Sequence, residues 1–467
     1  MLARASRRPS AIAGGGTIAR QRSIDDLLAP PSDPSWFLDE DGYEPALEHE
    51  VESRFAVGNG FLGVRGSLEQ PTRFSRPRTY VAGLFVGSEA RPPVPELVSA
   101  PDWLRLRVLV DGEELSLEDG QTLDHGRTLD FRRGVLHSRL EQRAQSGVTV
   151  RVRGLRFASL SERVVAVQLL GIDVDRPARL RLELVPGQSS EALEVRSRGS
   201  GIAVYALRKR PDRLAIGSRS LLQVDGTALS SSGAEPGPMS WSWDARPGRG
   251  ARFSRIVAFA RAESEEAAAR RASAHLAASP DDLRRRYGRH VATWRRRWLE
   301  SDVLIEGDEA SQKAVRFAIY HLISAANPDD DHVSVGARAL SGDAYKGHVF
   351  WDTENFLLPF YTFTWPKAAR AMLMYRYHTL PAARAKAAHL GYRGALYAWE
   401  SADTGAETTP PFALGPQRQV ISIRSGVLEH HISADVAYAV WQYWQATADS
   451  AFLIAAGAEI PLETSRF

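Results

Sequence analysis

The chain changes its hydrophobic period once, near residue 262, and that change limits what it can fold into. Upstream, Leu180, Leu182 and Leu184 lie two apart, as do Val148, Val150 and Val152. A two-residue period puts one face of a strand in a core. Downstream, Leu283, Tyr287, Val291, Trp294 and Trp298 recur every three or four residues, which is one side of a helix. A strand-built unit followed by a helix-built unit is expected, rather than alternating strands and helices.

The upstream part carries strand and turn signals from Trp36 to about Ala260. Leu104–Val110 alternates, and Asp111-Gly112 is a hairpin signal before Leu115. Ser146-Gly147 supplies a turn ahead of Val148, and Pro186-Gly187 ends the leucine strand. Val164–Leu170 reads as a strand buried on both faces. Regular strand–turn spacing over this length argues for a large β-sandwich.

Glu265–Leu276 is rich in Ala and Arg, both helix formers. Ser279-Pro280-Asp281 opens the tryptophan-bearing helix. Its other faces hold Arg284, Arg285, Arg286, Arg289, Arg295, Arg296 and Arg297. No aromatic is interleaved there, so the stripe reads as a solvated face rather than a nucleic-acid surface. The net charge is only +3, which gives no reason to expect a nucleic-acid partner. Val315, Ala318, Ile319, Leu322 and Ile323 mark a further helix; others start at Pro366, near Pro381 and at Ser433. Helices joined by long loops rich in Gly and aromatics suggest an all-α toroid with a site at its loop end.

The absence of cysteine excludes disulfides, thiolate metal sites and a cysteine nucleophile. No stretch approaches the ~18 apolar residues of a membrane span, so no membrane partner is expected. The first residues carry Arg, Ser and a Gly-Gly-Gly run without the apolar core of a secretory signal. A disordered tail over residues 1–33 and a cytoplasmic location are expected.

Three loop segments concentrate acids and aromatics: LSGDAYKGHVFWDTE (340–354), YRGALYAWESADTGAETTPP (392–411) and EHHISAD (429–435). Aromatic faces stack on the C–H side of a pyranose, and carboxylates accept strong hydrogen bonds from its hydroxyls. Trp365, ahead of Pro366, reads as a core or hinge aromatic. Asp403-Thr404-Gly405 also satisfies a turn, and Glu429 a helix N-terminus. His430 and His431 are adjacent and cannot share a helix face, and no calcium-loop pattern is present, so no metal is expected. Asp352 and Glu354 are harder to explain as scaffold. They lie among Phe350, Trp351, Phe356 and Leu357, where an unpaired buried charge is expensive. Glu354 is either a partner for another side chain or the first acid of the next helix.

These segments, with ESRFAVGNGFLGVRGSLE (52–69), TYVAGLF (79–85), MYRYHTLPAARAKAAHLGYRGALYAWESADTGAETTP and LEHHISADVAYAVWQYWQAT, closely resemble the disaccharide phosphorylases of glycoside hydrolase family 65. The resemblance runs from about Trp36 to Phe467. Members act on maltose, trehalose, kojibiose and related α-glucosides. It implies a super β-sandwich over 34–262, a helical linker over 263–302, and part of an (α/α)6 barrel, roughly its first half, over 303–467. By the same carry-over, Trp351 and Asp352 would grip the non-reducing glucose. Trp399, Glu400, Glu407 and Thr408 belong to the loop that shapes the acceptor subsite, and His431 to its rim.

The implied activity is inverting phosphorolysis of an α-linked glucose disaccharide to β-glucose 1-phosphate and a free sugar. Inorganic phosphate would be the co-substrate, no cofactor is expected, and a homodimer is the expected assembly. The alternatives are hydrolysis of trehalose or another α-glucoside, and a non-catalytic carbohydrate-binding remnant. The family's general-acid glutamate lies after the helix that begins near Asp449. None of the chain's glutamates fits that motif, so the expectation is a fragment inactive alone. Two departures stand out: Ala339 where the family usually has Gly between Arg and Leu, and Pro461 inside an expected helix.

Overall fold

The computed structural model describes residues 24–87, 94–187, 189–276 and 280–467. The expected tail is therefore outside the described residues up to residue 23, as is Ser279. From residue 24 onward the tail expectation needs correcting. Ile24–Leu27 is a short helix, and Leu27 and Leu28 are buried with Val135, Leu155, Phe157 and Ile256. Two adjacent leucines gain enough apolar contact there to anchor the segment.

The alternating strands pair as their pattern requires. Ala178–Leu184 lies between Leu106–Val110 and Met239–Ala245. Leu180 faces Val110 on one side and Trp243 on the other; Leu182 faces Val108 and Trp241. This small sheet packs on a ten-stranded antiparallel sheet through Val150, Val152, Leu170, Ile172 and Phe253. The strand Val165–Val174, read as doubly buried, is central in the large sheet and almost wholly buried. Asp111 and Gly112 both take positive φ, 51° and 95°, the backbone of a tight hairpin turn.

A third sheet, Val57–Gly58, Leu62–Val64, Thr79–Gly87 and Pro95–Ala100, closes the sandwich toward the helices. Its core is continuous with Trp294, Trp298, Ile319, Tyr320 and Ile323, so the first helices pack into the sandwich's interior. The last long strand ends at Ala262, and the helix Glu265–Ser273 follows, capped by the Ser264 hydroxyl.

In the helix Pro280–Ser301, Leu283, Trp294 and Trp298 are buried. Trp294 stacks on Tyr320 at 5.2 Å, and the Trp298 indole donates to the Phe131 carbonyl at 2.9 Å. Trp294 lies so close to Gly134 that any Cβ there would overlap the indole, and the glycine's φ is +64°. His290 is buried on the same face. Its Nδ1 accepts from Leu160 N at 3.0 Å, and its Nε2 faces the Gly134 carbonyl at 3.2 Å. The arginine stripe is not wholly solvated. Arg286 is buried and pairs with Asp282 and Glu162, because a guanidinium can enter a core only with such partners.

The helix Glu309–Ala325 turns most of its apolar stripe inward: Ile319 and Ile323 are buried, and Val315 and Leu322 pack against the cores. Ala318 is exposed, whereas Gln312 and Arg316 are buried with Ile319, Tyr320 and Ile323. Gln312 bonds Ile305 N and Val303 O at 2.7 and 2.9 Å; Arg316 bonds both oxygens of Asp302 at 3.0 and 2.9 Å. Satisfied polar groups can share a core face with apolar ones. Trp365 sits at the junction of the halves with Arg297 and Arg163 over its ring, at 4.6 and 5.4 Å. Pro461 lies in the first turn of the helix Glu459–Thr464, where a missing N–H goes unused.

The helical half packs Leu358, Tyr361, Met372, Leu373, Leu380, Ile432, Val436 and Tyr443 into its own core. Phe363, Trp441 and Ile454 face outward, at 73%, 49% and 85% exposure. None of the described helices is long and apolar enough to cross a membrane.

Candidate active site

The stretch His348–Phe360 is pinned at both ends. Val349 bridges Ser401, and Ser401 bridges Glu407, so the first and second acidic loops form one backbone unit. Tyr375 locks it from below, donating to Ser401 Oγ at 2.9 Å and Ala402 O at 2.6 Å. The third loop joins where Ser433 Oγ accepts from Tyr397 N at 3.0 Å. Segments distant in the chain thus meet at one end of the helices.

After Asp352 the backbone forms a π-helical turn, Thr353–Leu357, before the helix Leu358–Thr364. Pro359 lacks an N–H, which favours an irregular turn at that point. The turn sends Asp352 and Glu354 to opposite environments. Asp352 is exposed, and its carboxylate has no hydrogen-bond partner among the described residues. Glu354 is 1% exposed and receives two hydrogen bonds from Arg376, at 2.8 and 2.7 Å. Arg376 also donates to Phe350 O at 3.0 Å, so its charge binds the stretch to the helix Pro366–His378. Both readings open for Glu354 hold: it is the acid of the first turn after Asp352 and the partner of Arg376.

Trp351, Trp399 and His431 come together. The His431 ring stands edge-on to Trp351 at 4.9 Å and to Trp399 at 5.6 Å, and the two indoles are 6.4 Å apart. His431 Nδ1 donates to Asp435 at 2.6 Å, which fixes the ring's orientation at the start of the helix Ile432–Thr447. Asp352 directly follows Trp351, so a free carboxylate borders an aromatic wall.

Glu407 and Thr408 serve their own loop. Glu407 accepts from Lys386 Nζ at 2.6 Å, Trp399 N at 2.9 Å, and Thr409 Oγ1 and N at 2.6 and 3.1 Å. A carboxylate so occupied organises the loop rather than offering a vacant acceptor. Thr408 is buried, and its hydroxyl donates to the Glu400 carbonyl at 2.9 Å.

Glu400 has a partner the sequence did not disclose. His348 is fully buried, with Nε2 2.7 Å from the Pro95 carbonyl and Nδ1 2.8 Å from Glu400 Oε2. A carbonyl only accepts, so Nε2 carries a proton. His348, Arg376 and Lys386 were missed as site-building residues. A signal existed for Arg376: it lies on one helix face with Met372 and Leu373, where a lone cation needs a buried anion.

The N-terminal domain of glycosyl hydrolase family 65 matches residues 38–297, and that family's central catalytic domain matches residues 316–467. A kojibiose phosphorylase of Thermoanaerobacter brockii is 34% identical over 95% of this chain and 61% of its own length. An α,α-trehalose phosphorylase of the same organism is 27% identical over 92% of this chain and 59% of its own. The chain thus spans about three fifths of the curated relatives it matches. A solved human-microbiome protein, described as a candidate kojibiose phosphorylase, superposes with a TM-score of 0.80 at 20% identity, over 93% of this chain and 59% of that one. That likeness establishes the fold, a β-sandwich followed by helices of a toroid.

Proposed function

The chain belongs to glycosyl hydrolase family 65, and from that membership we propose that it carries the glucose-holding side of an α-glucosidic disaccharide phosphorylase. The reaction is phosphate-dependent cleavage of an α-linked glucose disaccharide to β-glucose 1-phosphate and a free sugar, with inversion. Relatives named as phosphorylases of kojibiose and trehalose support this class. Inorganic phosphate is the second substrate, taking the face that an activated water would take in an inverting hydrolase.

The observation that carries the reading is the free Asp352 carboxylate beside the Trp351–Trp399–His431 cluster. In this assignment Asp352 accepts a glucose hydroxyl and the indoles supply the apolar wall. His431 forms the rim, held by Asp435. Glu400, Glu407 and Thr408 set the shape of the acceptor loop, Glu400 through His348 and Glu407 through Lys386.

The test incubates the chain, completed with the segment that carries the family's general acid, with a panel of α-glucobioses, with and without phosphate, and scores glucose 1-phosphate against glucose. Binding of the same sugars is followed in parallel by tryptophan fluorescence. Phosphate-dependent glucose 1-phosphate is the expected product. Free glucose at equal rate without phosphate would assign hydrolysis instead, and no fluorescence response to any α-glucoside would remove the sugar site.

A further inference from the structure

The helix Glu309–Ala325 is followed by the sequence Asn-Pro-Asp-Asp-Asp-His, residues 327–332. Its three aspartates have different partners. Asp329 takes Lys367 of the helical half at 2.5 Å and Arg163 of the sandwich at 3.3 Å. Asp330 pairs with Arg261, on the sandwich's last strand. Asp331 has no lysine or arginine partner among the described residues. It faces two imidazoles: His378 Nε2 at 3.4 Å and His332 Nε2 at 3.7 Å.

We propose that Asp331, His332 and His378 form a binding site for a divalent transition-metal ion of the zinc type, seated where the sandwich meets the helices. One potential ligand atom from each of the three lies within 4.8 Å of the other two. His378 is the last residue of the helix Pro366–His378, and its Nε2 is buried with no hydrogen-bond partner among the described residues. The two carboxylate–imidazole separations are longer than the ~2.7–3.2 Å of a hydrogen bond. They are close to the ~3.4 Å between two ligands of a tetrahedral ion bound at about 2.0–2.1 Å.

The two rings stack face to face, with centroids 4.0 Å apart and planes 8° from parallel. The Nε2 atom of each ring is its ligand atom toward the ion. Capture needs the rings to splay so that both lone pairs converge. His332, with 72% of its side chain exposed, is free to make that turn. Water completes the shell. Two imidazoles with one carboxylate select zinc, nickel or cobalt over calcium or magnesium, which prefer all-oxygen shells.

The ion would tie the end of the Pro366–His378 helix to a segment already joined to the sandwich by Arg163 and Arg261. It would act as a junction staple, and the assignment stands independently of the sugar site.

The test is a calorimetric titration of the metal-free chain with zinc, then nickel, in a non-coordinating buffer. One ion per chain is expected at micromolar affinity, with a rise in Tm of a few degrees at saturation, as ligand linkage requires. Binding should weaken at least tenfold in His378→Ala and in His332→Ala. The exposed His332 keeps the test decisive if the helix-end variant folds poorly. His430→Ala, at the other histidine pair, should bind as the parent does. Equal affinity in the parent and His332→Ala, loss of binding in His430→Ala alone, or magnesium binding as tightly as zinc would each overturn the assignment.

Discussion

Glu354 and Arg376 meet through two hydrogen bonds, 2.8 and 2.7 Å, with neither side chain reaching solvent. Removing one partner leaves the other charged in a low-dielectric interior, which typically costs about 3–5 kcal/mol. Arg376→Met should lower stability by that amount, read as a shift of the denaturation midpoint at unchanged slope. A loss under about 1 kcal/mol would show that the pair does not hold the stretch.

Asp352 should behave in the opposite way. It is exposed and unbonded among the described residues, so Asp352→Ala should leave the unfolding midpoint unchanged. Losing a charge-assisted bond to a sugar hydroxyl weakens binding by about 1.5–3 kcal/mol. Fluorescence titration with an α-glucobiose tests this, and unchanged affinity would remove Asp352 from the site.

Acid should weaken the fold through histidines buried in neutral form. Burial lowers His290 from 6.5 to about 3 and His321 from 6.5 to about 4. Below pH 6.5 the unfolded chain takes up protons that the folded chain refuses. Stability should therefore fall as pH drops from about 6.5 toward 4, by a few kcal/mol in total. His290→Gln should flatten the slope by up to one proton's worth, measured by chemical denaturation at several pH values. A parallel slope would place the acid sensitivity elsewhere.

Ala339 has φ +47°, in the left-handed region where a Cβ is unfavourable by ~1–2 kcal/mol. Glycine would relieve that strain while adding about 0.4–1 kcal/mol of unfolded-chain entropy. Ala339→Gly should therefore stabilise the protein by ~0.5–1 kcal/mol. A drop in Tm would show that the alanine methyl makes contacts that outweigh its backbone strain.

Much of the architecture was legible because it rests on local repetition. Leu180, Leu182 and Leu184 announce their strand by spacing alone, and Trp294 and Trp298 announce their helix. The aromatic members of the site were legible as residue types clustered in three loops. Their partners were not, because they lie far along the chain. Nothing near Glu354 points to Arg376, and nothing near Glu400 points to the carbonyl of Pro95. Buried polar faces were also hidden. The burial of Gln312 and Arg316 depends on Asp302, Val303 and Ile305, which satisfy them.

The Pro95 carbonyl at His348 has a consequence for recombination. One backbone oxygen of the sandwich accepts from the imidazole of the helical half and so helps to fix the orientation of a ring that contacts Glu400. A chimera that joins these helices to an unrelated β-module would keep every side chain of the loops. It would still lose that anchor unless the donor module presented an acceptor at the same point. A module exchanged with the helical half therefore has to reproduce a backbone acceptor of the strand Pro95–Ala100, not only an apolar surface.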